Sequence, residues 1–183
     1  MKRVVLIGPT GSGKSATGRL LAMLLHWQFI DLDEEIARIS GMAVPEIFAR
    51  EGEQGFRARE TAALAAVARR RGVVVATGAG VVELQDNRAL LHRRSRVVAL
   101  LASPETIWYR LLQHAVSPAE IGRQRPMLAG SDPLRRLRRL NARRAPMYAE
   151  ADETLVVDGL SPEDAAARIA ASLTGRVAAL SVR

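Results

Sequence analysis

The chain has no cysteine, few aromatic residues and almost no lysine. Without cysteine there is no disulfide and no thiolate metal site. Aromatic residues make up only 4% of the 183, too few for a platform on which successive bases would stack. Of the 27 basic residues only Lys2 and Lys14 are lysine, so 25 are arginine, and the net charge is +8. Such an excess suggests nucleic acid as a partner. Yet Arg69-Arg70-Arg71, Arg93-Arg94 and Arg135-Arg136…Arg138-Arg139 are scattered along the chain with no aromatic platform beside them. Solvated helix faces are expected instead, and salt-sensitive retention on DNA or RNA would reverse that expectation. No apolar run is long enough to cross a bilayer. Met1-Lys2-Arg3 leads directly into an apolar run, leaving no cleavable export signal to expect. A cytoplasmic location and no membrane contact are therefore expected. The length suits one domain with a real core. Residues 1–174 are taken as that domain, expected to be a monomer, with 175–183 as a tail.

Against this background one stretch stands out. Gly8-Pro9-Thr10-Gly11-Ser12-Gly13-Lys14-Ser15 lies between an apolar run, Val4 to Ile7, and a helix-like run, Lys14 to Leu25. This is the G-x-x-x-x-G-K-S/T pattern in the strand–loop–helix context it requires. Glycines let consecutive backbone N–H groups curl around a phosphate, and the helix start adds positive potential. Gly11, Ser12, Gly13 and Ala16 would supply that cradle. Lys14 would reach the β- and γ-phosphates, and the Ser15 hydroxyl would ligate Mg²⁺. The chain is expected to bind a nucleoside triphosphate.

Further strands are expected at Gln28–Asp31, Val73–Ala76, Arg96–Leu101 and Thr154–Val157. Helices are expected at 34–39, 44–50, 53–71, 86–92, about 104–113, about 133–148 and from Pro162 onward. The stretch 114–131, with Pro118, Gly122, Pro126 and Gly130, lacks periodicity and reads as a lid. Five short apolar strands alternating with helices predict an α/β fold: a parallel sheet covered on both faces, with a lid. Ligands should gather at the carboxyl ends of the strands.

Just past those ends come the phosphate loop, Asp31-Leu32-Asp33, and Gly78-Ala79-Gly80. Alternation along an extended chain would put Asp31 and Asp33 on one side. One of the two would serve a metal and the other would orient or deprotonate an acceptor hydroxyl. Asp33 could also be a helix N-cap before Glu34-Glu35-Ile36. His26 and His92 read as helix-end surface residues, His114 as part of the lid, and Trp27 and Trp108 as packing residues.

Taken together, these segments resemble the shikimate kinases. The resemblance is carried by the phosphate loop, Asp31-Leu32-Asp33 and Gly52-Glu53-Gln54-Gly55-Phe56-Arg57-Ala58-Arg59-Glu60. It continues through Ala76-Thr77-Gly78-Ala79-Gly80, Arg125-Pro126-Met127-Leu128 and Arg143-Arg144-Ala145-Pro146-Met147-Tyr148, over roughly residues 3 to 173. It implies a three-layer P-loop NTPase-type fold and transfer of the γ-phosphate of ATP to the 3-hydroxyl of shikimate, on the way to aromatic amino acids. It further implies Lys14 and Ser15 on the phosphates and Mg²⁺, with Asp31 in the metal's shell. Asp33 would hold ring hydroxyls and act as base. Arg57 and Arg144 would grip the carboxylate beside Gly78, Ala79 and Gly80. Arg125 would act from the lid, and Arg110 would pack on adenine. Paired guanidinium forks suit a planar carboxylate in a way lysine does not.

Three departures from the family pattern bear on this. Ala79 stands where a third glycine is usual, and a positive φ there would be strained. The segment from Arg110 to Arg125 is long, and Arg123 is a second lid arginine. The loop Val157-Asp158-Gly159-Leu160-Ser161-Pro162 is short. The competing readings are another small-molecule kinase of the same fold, with a gluconate-like or nucleotide acceptor, and a ligand-binding module with weak catalysis.

Overall fold

The structure is a computed structural model and describes residues 3–113 and 117–175. Strands β1 (Arg3–Ile7), β2 (Gln28–Asp31), β3 (Val73–Ala76), β4 (Ser95–Leu101) and β5 (Glu153–Val156) form one sheet in the order β2-β3-β1-β4-β5. Every pairing is parallel, with Val5 level with Val75 on one side and Val97 on the other. Helices α1 (Lys14–Leu25), α2 (Leu32–Ser40), α3 (Val44–Val67), α4 (Gln85–His92) and α5 (Pro104–Gln113) follow in chain order. They are joined by α6 (Pro118–Gln124), α7 (Pro133–Tyr148) and α8 (Pro162–Leu173).

Strand alternation divides the core into two layers. Val5, Ile7, Val73, Val75, Val97 and Ala99 face one way and pack on Phe56, Leu64, Leu91 and Tyr148. Val4, Leu6, Val74, Val98 and Leu100 face the other way and pack on Leu21, Ala22, Ala166 and Ile169 of α1 and α8. The central strands thus bury both faces, which is why they are short β-branched runs and not alternating ones. At the foot of the sheet Arg3 is buried and, among the described residues, pairs with no carboxylate. Its guanidinium donates to the carbonyls of Ala68, Arg70 (3.0 Å) and Arg93, and its Nε donates to Ser95 Oγ (3.1 Å). Desolvation lowers its pKa, and Arg93 and Arg94 lower it further.

Several expectations change. Helix α2 starts at Leu32, so Asp33 lies in a first helical turn and the extended-chain argument for Asp31 and Asp33 fails. Its N-cap is Asp31, not Asp33: Asp31 Oδ1 accepts from the Asp33 N–H at 3.0 Å. The two expected helices at 44–50 and 53–71 form α3, bent at Gly52 (φ 68°, ψ −172°) and ending at Val67. Residues Val81–Glu83 form a 3₁₀ turn that periodicity could not show in three residues. The described part of the lid is not irregular. It contains α6 and a 3₁₀ turn, Pro126–Leu128, whose anchors Ile121 and Leu128 join Ile107, Leu111 and Leu137 in a third small core. Ser117 caps α6 by accepting from the Glu120 N–H, as Ser161 caps α8. His114 lies outside the described residues, as do residues 176–183 of the tail. His26 and His92 do end α1 and α4, and Trp27 and Trp108 pack against the cores.

Candidate active site

The loop after β1 crosses the top of the sheet. Gly8 adopts φ 141°, and a Cβ there would lie 2.2 Å from the Leu100 carbonyl oxygen, so only glycine lets the chain turn this tightly over β4. Lys14 is buried beneath the loop, and its Nζ donates to the carbonyls of Gly8 (2.9 Å) and Pro9 (2.6 Å). Burial lowers its pKa to about 8, against the pull of Asp33 and Asp31. Ser15 donates from its hydroxyl to Asp31 Oδ2 at 2.5 Å.

A cavity of about 760 Å³ opens over this loop. Gly11, Ser12, Gly13, Lys14, Ser15 and Ala16 line it on one side, and Arg110, Val157, Leu160 and Pro162 line it on the other. Arg110 is held by the Val157 carbonyl (2.9 Å) and the Leu160 carbonyl (3.4 Å). In the short following loop, Asp158 accepts from the hydroxyls of Ser103 (2.7 Å) and Thr106 (2.6 Å), fixing the start of α5.

A second cavity of about 130 Å³ adjoins the first. Asp33, Gly78, Ala79 and Arg125 border both cavities, while Arg57, Glu60, Gly80 and Arg144 border the smaller one. Asp33 Oδ1 is fully enclosed and meets no hydrogen-bond donor among the described residues. Burial raises the Asp33 pKa to about 6, aided by Asp31 and opposed by Lys14 and Arg57. That value suits a group that accepts a proton near neutral pH. Arg125 is half-buried, and desolvation lowers its pKa. Arg123 is exposed and does not border either cavity.

Arg57 and Arg144 are not solvated charges. Arg57 bonds Glu60 at 2.8 Å and Glu53 at 3.2 Å, and Arg144 Nε bonds Glu83 at 2.7 Å. Burial works against the Arg57 charge, but Glu60, Glu83 and Glu53 outweigh it and raise its pKa. Burial raises the Glu60 pKa to about 7, opposed by Arg57 and aided by Asp33.

The turn after β3 is shaped by space, not by backbone strain. A Cβ on Gly80 would lie 2.2 Å from Arg57 Nη2, and one on Gly78 would lie 2.9 Å from Glu60 Oε1. Ala79 sits between them without a positive φ; among the described residues only His26 and Arg94 are non-glycine with one. The strain expected at Ala79 is therefore absent. Its carbonyl accepts from the Tyr148 hydroxyl at 2.8 Å.

Glu60 and Glu83 are the site groups that sequence reasoning missed. The i, i+3 spacing from Arg57 to Glu60 was a usable signal for the first. Nothing in the sequence pointed to the second.

The fold and these two cavities define a P-loop phosphotransferase with room for a small acceptor. Comparison narrows the class. The family model for shikimate kinase matches residues 10–174. The shikimate kinase of Symbiobacterium thermophilum is 42% identical over 174 residues, covering 94% of this chain and 97% of that protein. Among solved structures, shikimate kinase from Acinetobacter baumannii in complex with shikimate superposes with a TM-score of 0.88 at 35% identity, covering 97% of this chain and 96% of that one. Shikimate kinase from Bacteroides thetaiotaomicron gives 0.82 at 30% identity, covering 95% and 98%. The chain belongs to the shikimate kinase family, ATP-dependent kinases acting on shikimate.

Proposed function

We propose that this chain transfers the γ-phosphate of ATP to the 3-hydroxyl of shikimate, with the nucleotide in the larger cavity and the acceptor in the smaller. The observation that carries the reading is Asp33. It borders both cavities, with an enclosed carboxylate oxygen that meets no donor among the described residues. Such a group can take the proton of a hydroxyl aligned on the donor phosphate. Arg57 and Arg144, with the backbone of Gly78, Ala79 and Gly80, grip the acceptor carboxylate by guanidinium forks. Lys14 turns from the Gly8 and Pro9 carbonyls to the phosphates, and Arg125 offsets the charge that develops on the transferring group. Arg110 backs the adenine.

The residues fit Mg²⁺. Ser15 Oγ and Asp31 Oδ2 are two hard oxygens 2.5 Å apart beside the phosphate loop. Among the described residues no group of three or more His, Cys, Asp or Glu could hold a metal. Mg²⁺ commonly makes do with few protein ligands, completing its shell with phosphate oxygens and water. When bound it would neutralise charge on the phosphates; Ser15 and Asp31 would hold it. The whole reading takes 1–174 as one kinase domain, acting as a monomer in the cytoplasm without nucleic-acid or membrane partners. No helix among the described residues is long and apolar enough to cross a membrane.

A coupled ADP-release assay with ATP, Mg²⁺ and shikimate tests it. Turnover well above acceptor-free ATP hydrolysis is expected. Gluconate or a nucleoside monophosphate turning over faster than shikimate would overturn the acceptor assignment.

A further inference from the structure

The two arginines proposed to clamp the acceptor come from distant parts of the chain, α3 and α7. A clamp works only if its jaws hold a fixed relation, since misplacement of even 1 Å costs heavily in a positioned reaction. Among the described residues, Glu83 is the one carboxylate within ion-pair distance of both, although Glu60, bonded to Arg57, also feels the charge of Arg144. Glu83 lies three residues beyond Gly80, in the 3₁₀ turn, and its N–H donates to the Gly80 carbonyl at 3.0 Å. Its Oε1 accepts from Arg144 Nε at 2.7 Å and from Arg143 Nη2 at 2.6 Å. Its Oε2 lies 3.9 Å from Arg57 Nη2.

We propose that Glu83 is a positioning residue of the acceptor clamp, acting through Arg144 and Arg57 without touching the acceptor itself. Arg144 is 4% exposed, so its guanidinium is not oriented by water. With Nε engaged by Glu83 and the guanidinium also hydrogen-bonded to Tyr148, the remaining Nη donors are what Arg144 has left for a ligand carboxylate. Arg57 has Glu60 and Glu53 to direct it, so its dependence on Glu83 is weaker. Because Glu83 is tethered to Gly80 by its own backbone, it also ties both arginines to the turn that borders the acceptor cavity. A buried arginine left without its carboxylate is costly and relaxes toward another partner. The inference rests on the reading of Arg57 and Arg144 as the carboxylate clamp.

Glu83→Ala and Glu83→Gln variants test it, each measured by calorimetric titration with shikimate and by the ADP-release assay. Glu83→Ala is expected to weaken shikimate binding and raise its KM by about tenfold, the size typical of losing a group that orients a ligand-contacting residue. KM for ATP should stay unchanged. Glu83→Gln keeps an oxygen for Arg144 Nε and should recover most of the loss, and it serves as the decisive variant if the alanine form folds poorly. A shikimate Kd for Glu83→Ala within twofold of the unmodified protein, or equal loss in Glu83→Gln, would overturn the role. Parallel rises in both KM values would do the same, since they mark a general loss of structure. An unmodified protein that binds no shikimate would instead overturn the acceptor assignment, and this role with it.

Discussion

Asp33 and Glu60 press on the same backbone carbon from two elements. A methyl on Gly78 would lie 3.0 Å from Asp33 Oδ1 and 2.9 Å from Glu60 Oε1. Both oxygens are enclosed and have no hydrogen-bond partner among the described residues, and both carboxyls are raised above their ordinary range, to about 6 and about 7. The site thus carries two neighbouring acids that titrate near neutrality.

This sets the pH dependence. As pH falls through about 6, Asp33 takes up a proton and can no longer accept one, so kcat/KM for the acceptor should fall on that side. Asp33→Asn should lose roughly 10²–10⁴ of the transfer rate, the worth of a positioned base, while nucleotide titration by calorimetry still shows binding. Retained turnover in that variant would remove Asp33 from the chemistry.

The same group acts on stability with the opposite benefit. Its pKa is 3.8 when free and about 6 in the fold, so the native state favours the protonated form. The stability it contributes is full below the free value and gone once pH has risen through the folded one. Asp33→Asn, neutral at every pH, should therefore be more stable than the unmodified chain at pH 8, by something on the order of 3 kcal/mol. Urea unfolding at pH 8 and again at pH 4 checks the sign, because the gain should shrink at the lower pH.

The turn after β3 should tolerate change unevenly. Gly78→Ala forces a methyl against two carboxylates, one of them Asp33; overpacking should lower the unfolding free energy by about 1–3 kcal/mol, and displacement of Asp33 should raise the shikimate KM. Ala79→Gly removes a methyl from a residue with no strained backbone and should shift the shikimate KM much less. Equal effects would show that the turn is sensitive for another reason.

Lys14 donates to two carbonyls of the phosphate loop and has a pKa lowered to about 8 by burial. Nucleotide affinity should weaken as pH rises above that value, since the neutral amine offers no charge to a phosphate. Lys14→Met should lose that limb of the pH profile along with about 10²–10³ of the rate, as when one charge-stabilising donor is removed.

At the foot of the sheet, Arg3→Ala would take the Arg3 donor from the Ala68 and Arg70 carbonyls, while the Arg93 carbonyl keeps the Ser95 hydroxyl. A loss of about 2–4 kcal/mol in denaturant unfolding is expected, with little change in either KM.

Much of this molecule is legible in the sequence, for local reasons. Val4-Val5-Leu6-Ile7 and Val73-Val74-Val75-Ala76 read as buried strands because both faces are covered, so no polar residue interrupts them. The phosphate loop reads directly because its glycines answer to local geometry. Asp31 did not read correctly, because a cap and an extended pair look alike until the first helical turn is located. Helix α6 hid for another reason: seven residues with one deep anchor, Ile121, give no period. Its Ser117-Pro118 start repeats the Ser103-Pro104 and Ser161-Pro162 pattern and was the signal available. Glu83 was invisible because its partners lie 60 and 61 residues away on α7, and only the folded chain brings them together.

Asp31 uses its two oxygens for two different things. One accepts from the Ser15 hydroxyl beside the phosphate loop, and the other accepts from the backbone of Asp33 at the start of α2. A cation drawn to the first oxygen acts on the residue that seats the second. Donor and acceptor are therefore expected to bind with reciprocal cooperativity: the factor by which magnesium nucleotide sharpens acceptor affinity must equal the factor by which acceptor sharpens nucleotide affinity. Asp31→Asn, titrated with each substrate in the presence and absence of the other, should bring both factors toward one together.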